Sequence, residues 1–542
     1  MTALTQTQPW QALVRHRDAL VGKHLRELFA QDPARFDRFS LQLGDLLFDY
    51  SKQRVTAETM SLLVQLAEAR NLSDGLKRMA AGERINSTEQ RAALHMALRA
   101  DSGYTVDGAD VSRGVRETRD RVCDTAERIR NGQVLGAKGK PIRHVINLGI
   151  GGSDLGPRMA SRALYRYAHP GLRVDYVANV DPAELGAVLA RANADETLFV
   201  LSSKTLTTIE TLTNARSARA WLATHLGSQA AVGSHFFAVS NNLKGAAEFG
   251  IPAERCFELP EWVGGRYSMW SAIGLPLACA IGANGFRALL AGAHQMDEHF
   301  LKAPFGQNMP VIMGLLGIWN TDFLGAESLA VLPYSHALGE LPLYLQQLEM
   351  ESNGKRVTRE GAPVGCNTSP IVWGSSGTVG QHAFHQLFYQ GTRVTPVDFV
   401  VPVGGSDPAQ QTLVSNALAQ SAALMLGKTE DEAYADLKSR GIDEAQARRL
   451  APHMVCPGNQ PSTTVMLPDL TPHALGQLIA LYEHKVFAQG WIWGINSFDQ
   501  YGVELGKQMA RAVGGSEPGG AAADVSTAGL MRAVAALRAR PS

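Results

Sequence analysis

The sequence predicts an α/β protein with two parallel-sheet domains, flanked by helical segments at both ends. Three observations support this fold class. The chain has 542 residues, which is too long for one ordinary domain. From about residue 120 onward, short stretches rich in Val, Ile and Phe alternate with helical stretches, in two successive sets. This alternation is typical of parallel sheets that helices cover on both faces.

The N-terminal segment, residues 1–119, is predicted to be mainly helical and to pack on the second α/β domain. Apolar residues recur there at spacings of three and four, which favours helices. FSLQLGDLLFDYS at 39–51 breaks this period and predicts a short hairpin around Gly44. STEQ at 87–90 has the pattern of a capping box and predicts a helix over AALHMALRA.

Seven strands are predicted in the two α/β domains. The first domain, residues 120–285, contains four of them: HVINLGI (144–150), VDYVANV (174–180), TLFVLSS (197–203) and HFFAVS (235–240). The second domain, residues 286–512, contains three: SLAVLPY (328–334), PIVWG (370–374) and VDFVVPV (397–403). The apolar stretch at 270–282 is too short to span a bilayer and predicts a core helix. Residues 513–542 predict a linker and a short terminal helix.

The composition argues against several classes of partner. Hydrophobic residues make up 45% of the chain and charged residues 19%, so a sizeable core is available. The formal net charge is zero, which favours neither nucleic acid nor a membrane surface as a partner. The five cysteines are scattered without a CxxC pair, which favours free thiols in a reducing cytoplasm. The N-terminus lacks a basic start followed by an apolar run, so no secretory signal is predicted.

The loop SSKTLTT, residues 202–208, lies where a predicted strand ends and a predicted helix begins. Ligands of open parallel sheets bind beyond the carboxyl ends of the strands, and a helix N-terminus suits an anion. Ser203, Thr205 and Thr208 add hydroxyl donors, and Lys204 adds a full charge. An ordinary N-cap explains one or two of these residues but not all of them. We therefore interpret this loop as a phosphate site.

The loop LGIGGSDLGP, residues 148–157, is a second glycine-rich turn after a strand. It resembles a dinucleotide fingerprint, but that motif requires glycine at the position of Asp154. A tight turn between strand and helix is the plainest reading. A third is close approach of the backbone to a sugar or a phosphate, with Gly152 and Ser153 as donors.

Four further side chains are candidates, and each also has an ordinary structural explanation. Glu351 in MESNGK is by default a solvated carboxylate, and Arg266 in VGGRYSMW is by default one half of a structural ion pair. His382 and His385 would be neighbours on a helix, but no third metal ligand is evident. Lys507 in FDQYGVELGK is by default a solvated cation.

Together and in order, six segments closely resemble the motifs of the glucose-6-phosphate isomerase (phosphoglucose isomerase) family. They are IGGSDLGP, SSKTLTT, VGGRYSMWSAIG, MESNGK, GQHAF and FDQYGVELGK. The segments FSLQLGDLLFDYSK, GERINSTEQRAALHMALR and CPGNQPS are also similar to the family, so the resemblance extends from about residue 36 to 510. The resemblance implies two sugar-isomerase (SIS-type, flavodoxin-like) domains and a homodimer. It also implies interconversion of glucose 6-phosphate and fructose 6-phosphate in glycolysis and gluconeogenesis, with no cofactor and no metal.

The resemblance also implies roles for individual residues. Glu351 would carry a proton between C2 and C1, and Arg266 would stabilise the enediolate. His382 of the partner copy and Lys507 would assist ring opening, and Glu210 would orient His382. The remaining residues would hold the substrate: Ser203, Lys204, Thr205 and Thr208 on the phosphate, and Gly152, Ser153, Gln347 and Gln500 along the sugar. Opening a sugar ring and moving the C2 proton both require positioned acids and bases near neutral pKa.

Three residues depart from the family pattern: Val379 replaces a frequent asparagine, His385 a usual aromatic residue and Tyr501 a frequent tryptophan. Since His385 is close to His382, we expect it to affect the pH profile. Two other classes of function compete with the isomerase. A nicotinamide-dependent oxidoreductase rests on LGIGGSDLGP alone, and a non-catalytic sugar-phosphate regulator is disfavoured by the balanced charge. Activity on mannose 6-phosphate is a less favoured variant, since the bifunctional relatives are shorter.

Overall fold

The computed structural model describes residues 3–228, 230–514 and 524–539. The chain forms two compact units, one that ends at Ser497 and one that begins at Phe498. Both α/β domains predicted from the sequence lie largely in the first unit. The second unit contains two helices, α19 and α20, which are described at the end of this section.

The N-terminal part of the first unit is mainly helical, as predicted, with helices α1 to α6 at Gln8–Leu20, Leu25–Gln31, Arg35–Arg38, Ala57–Ala69, Leu72–Ala80 and Ser112–Arg130. The predicted hairpin is confirmed as β1 (Ser40–Leu43) and β2 (Leu46–Asp49), which pair antiparallel. A further small hairpin follows, with β3 at Thr105–Val106 and β4 at Ala109–Asp110.

The predicted capping box at 87–90 is wrong. Asn86 and Arg91 exchange backbone hydrogen bonds of 3.1 and 3.2 Å across this stretch, and Gln90 has a φ of 54°. Such a tight turn cannot begin a helix, because helical residues need negative φ. In the described stretch 91–99, where the helix was predicted, the structure contains a short 3₁₀ turn at His95–Leu98.

The first sheet contains the four predicted strands and a short fifth one, β5 to β9, at His144–Leu148, Arg173–Val177, Thr197–Ser202, Phe236–Val239 and Cys256–Phe257. All pairs are parallel, in the order β6-β5-β7-β8-β9. This is the flavodoxin-like order, with each of the first four strands followed by a helix. These helices are α7 (Leu155–Ala163), α8 (Pro182–Leu189), α9 (Ile209–Leu226) and α10 (Leu243–Phe249).

The second sheet contains the three predicted strands and one that the sequence reading missed. They are β10 (Ser328–Pro333), β11 (Ile371–Trp373), β12 (Val397–Pro402) and the missed β13 (Ser462–Leu467). The sheet order is β1-β2-β13-β12-β10-β11, in which β10 to β13 run parallel and β2 joins β13 antiparallel. The predicted fold class of two parallel-sheet α/β domains is therefore confirmed, with the N-terminal hairpin added to the second sheet.

Among the described residues, eight further α-helices lie in the first unit from residue 275 onward. They are α11 (Leu275–Lys302), α12 (Met309–Ile318), α13 (Leu341–Gln346), α14 (His385–Gln390), α15 (Pro408–Leu426), α16 (Glu430–Ser439), α17 (Glu444–Leu450) and α18 (Pro472–Trp493). Almost every residue of α18 is buried, and α11 packs along it.

The predicted core helix at 270–282 is the start of a longer helical run. Among the described residues, the run Ala272–Lys302 is the one long and apolar enough to cross a membrane, and 78% of its most apolar window is buried inside the protein. Gly282 interrupts it with a φ of 79°, so two shorter helices meet there. Burial of this kind is typical of a core helix.

The second unit contains α19 (Gly502–Val513) and α20 (Val525–Arg538). Helix α20 is the predicted terminal helix. The predicted linker falls mainly on residues 515–523, which lie outside the described residues. The domain boundaries at 119, 285 and 512 remain predictions, because the chain separates only at residue 497.

Candidate active site

Two sequence-predicted substrate loops meet at the carboxyl edge of the first sheet. Strands β5 and β7 are neighbours, and β6 lies on the other side of β5, so the strand order reverses here. Ligands of such sheets bind in the crevice at this switch point. The loop after β5 carries Gly152 and Ser153, and the loop after β7 runs from Ser203 to Thr208.

A buried chain of hydrogen bonds joins the two loops. The Oγ of Ser202 donates to Oδ1 of Asn147 at 2.7 Å, and Nδ2 of Asn147 donates to the carbonyl of Ser153 at 2.9 Å. Asn147 and Ser202 are almost fully buried. Because buried polar groups need their partners, this chain fixes the spacing between the two loops.

The loop after β7 has the geometry of an anion cradle. Oγ of Ser203 accepts from the backbone N–H of Leu206 at 3.2 Å and lies 3.4 Å from Oγ1 of Thr208. Thr208 is the N-cap residue of α9, but its side chain makes no capping hydrogen bond. The ordinary N-cap explanation therefore does not account for Thr208. The first N–H groups of α9 have no acceptor within the helix and face the same loop.

Lys204 fastens this loop to the segment that leads to Arg266. Its Nζ donates to the carbonyls of Glu261 and Val263 at 3.2 and 3.4 Å and lies 3.4 Å from Oε2 of Glu261. Burial lowers the pKa of the Lys204 ammonium. The ammonium group thus has hydrogen-bond acceptors within the protein, and these contacts attach the loop to a second segment of the chain.

Gly152 brings the loop after β5 into contact with the segment of Arg266. A Cβ on Gly152 would overlap the Gly265 carbonyl and lie 2.6 Å from the backbone nitrogen of Arg266. Gly151 has a φ of 60°, and a Cβ there would lie 3.0 Å from Nε2 of Gln347. Gly152 is therefore needed for close approach of two backbone segments, whereas the approach of this loop to a sugar or a phosphate stays a prediction.

Arg266 and Glu351 form an ion pair at the centre of the site. Nη1 of Arg266 donates to Oε1 of Glu351 at 2.7 Å. The guanidinium also donates from Nε to Oγ of Ser352 and from Nη2 to the carbonyl of Ser497, each at 2.7 Å. The Arg266 side chain is 1% exposed, whereas that of Glu351 is 24% exposed. The carboxylate is thus open to a ligand, while the guanidinium is fixed from behind.

Helix α13 continues into a single π-helical turn, Gln347–Glu351, which presents the carboxylate. Nε2 of Gln347 donates to Oε2 of Glu351 at 3.3 Å, so both carboxylate oxygens have protein donors. Nζ of Lys355 donates to the carbonyls of Glu351 and Ser352 at 3.0 and 2.9 Å, so these carbonyl groups at the end of the turn have a hydrogen-bond donor. Single π turns are frequent at functional sites, because they shift side chains out of the regular helical register.

His382 lies apart from this cluster, at the end of the short 3₁₀ turn Val379–His382. Its side chain is exposed. No hydrogen bond joins it to Glu351, Arg266 or Glu210 among the described residues. Glu210 lies in the first turn of α9, and its expected contact with His382 stays a prediction.

The structure does not support the predicted effect of His385 on the pH profile. It is buried, and its Nδ1 lies 3.1 Å from Oε1 of Gln420, which also accepts from the hydroxyl of Tyr389. Burial lowers the pKa of His385. A neutral imidazole turned into the core adds no charge beside His382, so an altered pH profile is no longer expected.

The described residues contain no group of side chains that could hold a metal ion, and the histidine pair is not part of one.

Gln500 and Lys507 belong to the second unit. Lys507 lies in α19, where its Nζ donates to Oε1 of Glu504 at 2.7 Å, and both side chains are exposed. This is the arrangement of a solvated cation on a helix surface. The participation of Gln500 and Lys507 in the site remains a prediction.

Asp154, the residue that interrupts the dinucleotide fingerprint, is a buried carboxylate behind Ser153. Its side chain pairs with Nη2 of Arg158 at 3.3 Å, and Arg158 in turn lies 3.3 Å from Oε2 of Glu340, just before α13. Burial raises the pKa of Asp154 to about 6. This line of charges connects the loop after β5 to the helix that leads to Glu351.

Sequence reasoning missed the residues that hold the site together, chiefly Tyr267, Ser352, Lys355 and Ser497. The first three lie inside the motifs already singled out, next to Arg266 and Glu351. A polar residue beside a candidate catalytic residue was the available signal, but it does not tell which way a side chain points.

The family model for phosphoglucose isomerase matches residues 49–531. The glucose-6-phosphate isomerase of Aromatoleum aromaticum is 57% identical over 98% of this chain and 97% of its own. That of Deinococcus deserti is 53% identical over 95% and 96%. The crystal structure of a glucose-6-phosphate isomerase from Chlamydia trachomatis matches 99% of this chain and 100% of its own, with 31% identity and a TM-score of 0.84.

Proposed function

The chain belongs to the phosphoglucose isomerase family and interconverts glucose 6-phosphate and fructose 6-phosphate, and we propose how its own residues carry out this reaction. One observation carries the proposal: the contact of 2.7 Å between Nη1 of Arg266 and Oε1 of Glu351, at the switch point of the first sheet. The family match leaves the oxidoreductase and regulator alternatives without support.

Glu351 is the base that moves a proton between C2 and C1. In the open-chain aldose, the C2 proton is acidic because it is α to the aldehyde. A carboxylate takes this proton and leaves a cis-enediolate with the negative charge on O1. The hydroxyl proton passes from O2 to O1, and the carboxylate returns its proton to C1 as the C2–O2 double bond forms, which gives the ketose. Because C1 and C2 are adjacent, one positioned carboxylate serves both steps, and such general base catalysis contributes about 10²–10⁴-fold.

Arg266 stabilises the negative oxygen that develops in the enediolate. Its guanidinium is buried and fixed by three acceptors, so it does not reorganise as the charge forms. Preorganised cations of this kind act strongly in a site from which water is excluded. The same guanidinium holds Glu351 in place before the substrate binds.

The substrate lies between the two loops of the first sheet. Ser203, Lys204, Thr205 and Thr208 hold the phosphate, with the N-terminus of α9 as the second source of donors. Gly152, Ser153, Gln347 and Gln500 line the sugar. Binding energy from the remote phosphate then contributes to catalysis at C1 and C2, because it fixes the reacting carbons against Glu351.

Ring opening requires an acid and a base at the ring oxygen and the C1 hydroxyl, and we assign these roles to His382 and Lys507. We propose that His382 comes from the partner in a homodimer. This is supported by its exposure and by its exposed apolar neighbours Val379 and Leu387, which are 65% and 47% exposed. Exposed apolar side chains of this kind mark interaction surfaces.

The role of Glu351 is tested with Glu351→Gln, which keeps the size of the side chain and an oxygen that accepts from Arg266. A coupled assay would follow glucose 6-phosphate formed from fructose 6-phosphate, in the presence of EDTA, since the proposed route needs no metal or cofactor. We expect kcat to fall by about 10²–10⁴-fold with KM changed little. Glu117→Gln, at an exposed position of α6, is the control and should retain full activity. Full activity of Glu351→Gln would exclude Glu351 as the base.

The exchange of His382 between subunits is tested by mixing two inactive variants, Glu351→Gln and His382→Ala, under conditions that reassort subunits. In a mixed dimer, one site receives both substitutions and the other receives neither. About half of the dimers are then mixed, so activity should return to roughly a quarter of the wild-type value. No recovery in dimers shown to be mixed would mean that both residues serve the same subunit's site.

We further propose a cytoplasmic location and a place in glycolysis and gluconeogenesis. All five cysteines are free, and disulfides are rare in reducing compartments. The family's reaction supports the metabolic role.

A further inference from the structure

Ser352 is one of the acceptors that hold the guanidinium of Arg266. Oε1 of Glu351 accepts from Nη1, and the carbonyl of Ser497 accepts from Nη2. Oγ of Ser352 accepts from Nε at 2.7 Å, which fixes the plane of the guanidinium. Ser352 is fully buried, so no water can replace this contact.

Tyr267 orients the hydroxyl of Ser352. The two hydroxyl groups lie 3.0 Å apart and both are buried. A serine hydroxyl has one proton and can rotate, so a second partner is needed to turn its lone pair towards the arginine. Burial raises the pKa of Tyr267 to about 12, so the phenol stays neutral, and either hydroxyl can be the donor in this hydrogen bond.

The ring of Tyr267 is itself held in the core. It stacks on His95 with ring centroids 4.6 Å apart, and Nε2 of His95 lies 3.9 Å from Oε2 of Glu483. Glu483 accepts from Nε1 of Trp270 at 2.8 Å and from Nη1 of Arg99 at 2.5 Å. All of these side chains are buried, so the phenol has a fixed position from which to act.

We propose that Tyr267 and Ser352 are positioning residues, which hold the Arg266 guanidinium in the plane that meets the enediolate oxygen while Glu351 moves the proton. The inference rests on the proposed role of Arg266. We call the hydrogen-bonded chain of Tyr267, Ser352 and Arg266 the relay. The inference predicts an effect on kcat and not on substrate binding, because the relay touches neither the phosphate loop nor the exposed face of Glu351.

The test compares Tyr267→Phe, Ser352→Ala and the double variant in the full-length enzyme, with fructose 6-phosphate as substrate. We expect kcat to fall on the order of ten-fold in each single variant, below the loss of about 10²–10³ that follows removal of an oxyanion donor. KM should stay within about two-fold. The double variant should lose no more than Ser352→Ala alone, since both substitutions break one relay.

Tyr344→Phe is the matched control. Tyr344 is also a buried tyrosine, but its hydroxyl is without a hydrogen-bond partner among the described residues. Its loss should leave kcat unchanged. If Tyr267→Phe lowers the melting temperature but keeps the kcat of Tyr344→Phe, the relay is only structural and the inference is overturned. If Ser352→Ala does not fold, Tyr267→Phe still provides this comparison, because it removes one oxygen and no carbon.

Arg266→Gln separates this inference from the proposed function. Loss of kcat in Arg266→Gln together with normal kcat in Tyr267→Phe and Ser352→Ala would overturn the positioning role alone. Normal kcat in Arg266→Gln would overturn the role of Arg266 and the positioning role with it.

Discussion

At the scale of single residues, the environment of a side chain determines its chemistry more than its type does. His382 and His385 are three residues apart, yet one is exposed and the other is buried against Gln420. Lys204 and Lys507 differ in the same way, since burial lowers the pKa of the first while the second lies on a helix surface. The role of each histidine and each lysine near the site therefore has to be inferred from its own surroundings.

His385→Phe should make the protein more resistant to acid. Because burial lowers its folded pKa, His385 binds a proton more readily in the unfolded chain, and the wild type loses stability as the pH falls through and below about 6.5. The phenylalanine variant lacks this contribution, so its stability relative to wild type should rise from pH 8 to pH 5. Urea unfolding at several pH values measures the difference.

His453→Phe, at an exposed position, is the control for the exchange of a histidine for a phenylalanine outside the core. The pH profile of kcat/KM should also be the same in His385→Phe as in the wild type. An altered profile would mean that His385 does influence the ring-opening step.

At the scale of elements, the site depends on the close approach of loops from distant parts of the chain. Gly152 of the loop after β5 touches the backbone of Gly265 and Arg266, and Gly151 faces Gln347 of the π turn. The loop after β5 thus lies against the backbone of the Arg266 segment and against a side chain of the π turn. Side chains at these glycines would push them apart.

Gly152→Ala should inactivate the enzyme and destabilise it by about 1–3 kcal/mol, the cost of overpacking. The reason is that a Cβ there overlaps the backbone carbonyl of Gly265, which cannot rotate away as a side chain would. Activity and urea unfolding measure both effects. Gly186→Ala, within α8, is the matched control. No atom lies near its Cβ, and alanine favours helix, so we expect unchanged activity and slightly higher stability. An active Gly152→Ala enzyme would show that the loops can separate without loss of function.

At the scale of the whole molecule, buried charges join the N-terminal segment to the two central helices. Arg99 donates to both oxygens of Asp297 in α11, and to Glu483 in α18. Burial raises the pKa of Asp297 and of Glu483 to about 7. Two carboxylates therefore share one guanidinium in a fully buried site, and Nε2 of His484 lies 2.6 Å from Oδ1 of Asp297.

Arg99→Met should cost about 3–5 kcal/mol of stability, because it leaves buried carboxylates without their cation. Acids whose folded pKa is raised contribute stability at low pH and lose it as the pH rises through that pKa. The loss should therefore be larger at pH 8 than at pH 6. Urea midpoints at the two pH values measure it. Arg113→Met, in an exposed pair with Glu117, should leave the midpoints unchanged. Equal losses at both pH values would contradict the assignment of raised pKa values.

The sequence by itself determined the fold class and most of the elements. The seven predicted strands and the hairpin at 39–51 depend on short-range hydrophobic patterns, and the structure contains all of them. The sequence analysis missed β13, because its pattern STTVML begins with three polar residues, which are nevertheless buried. The motifs also identified the family, because their order along the chain is specific.

Only the tertiary structure determined how the site is assembled. Arg266 and Glu351 are 85 residues apart, and Arg99 and Glu483 are 384 residues apart. Patterns in the sequence report on neighbours within a few residues, whereas these contacts depend on how two sheets and their central helices pack. For the same reason, Ser352 and Tyr267 lie inside motifs that the sequence had already singled out, but only the structure shows that Ser352 contacts Arg266 and that Tyr267 contacts Ser352.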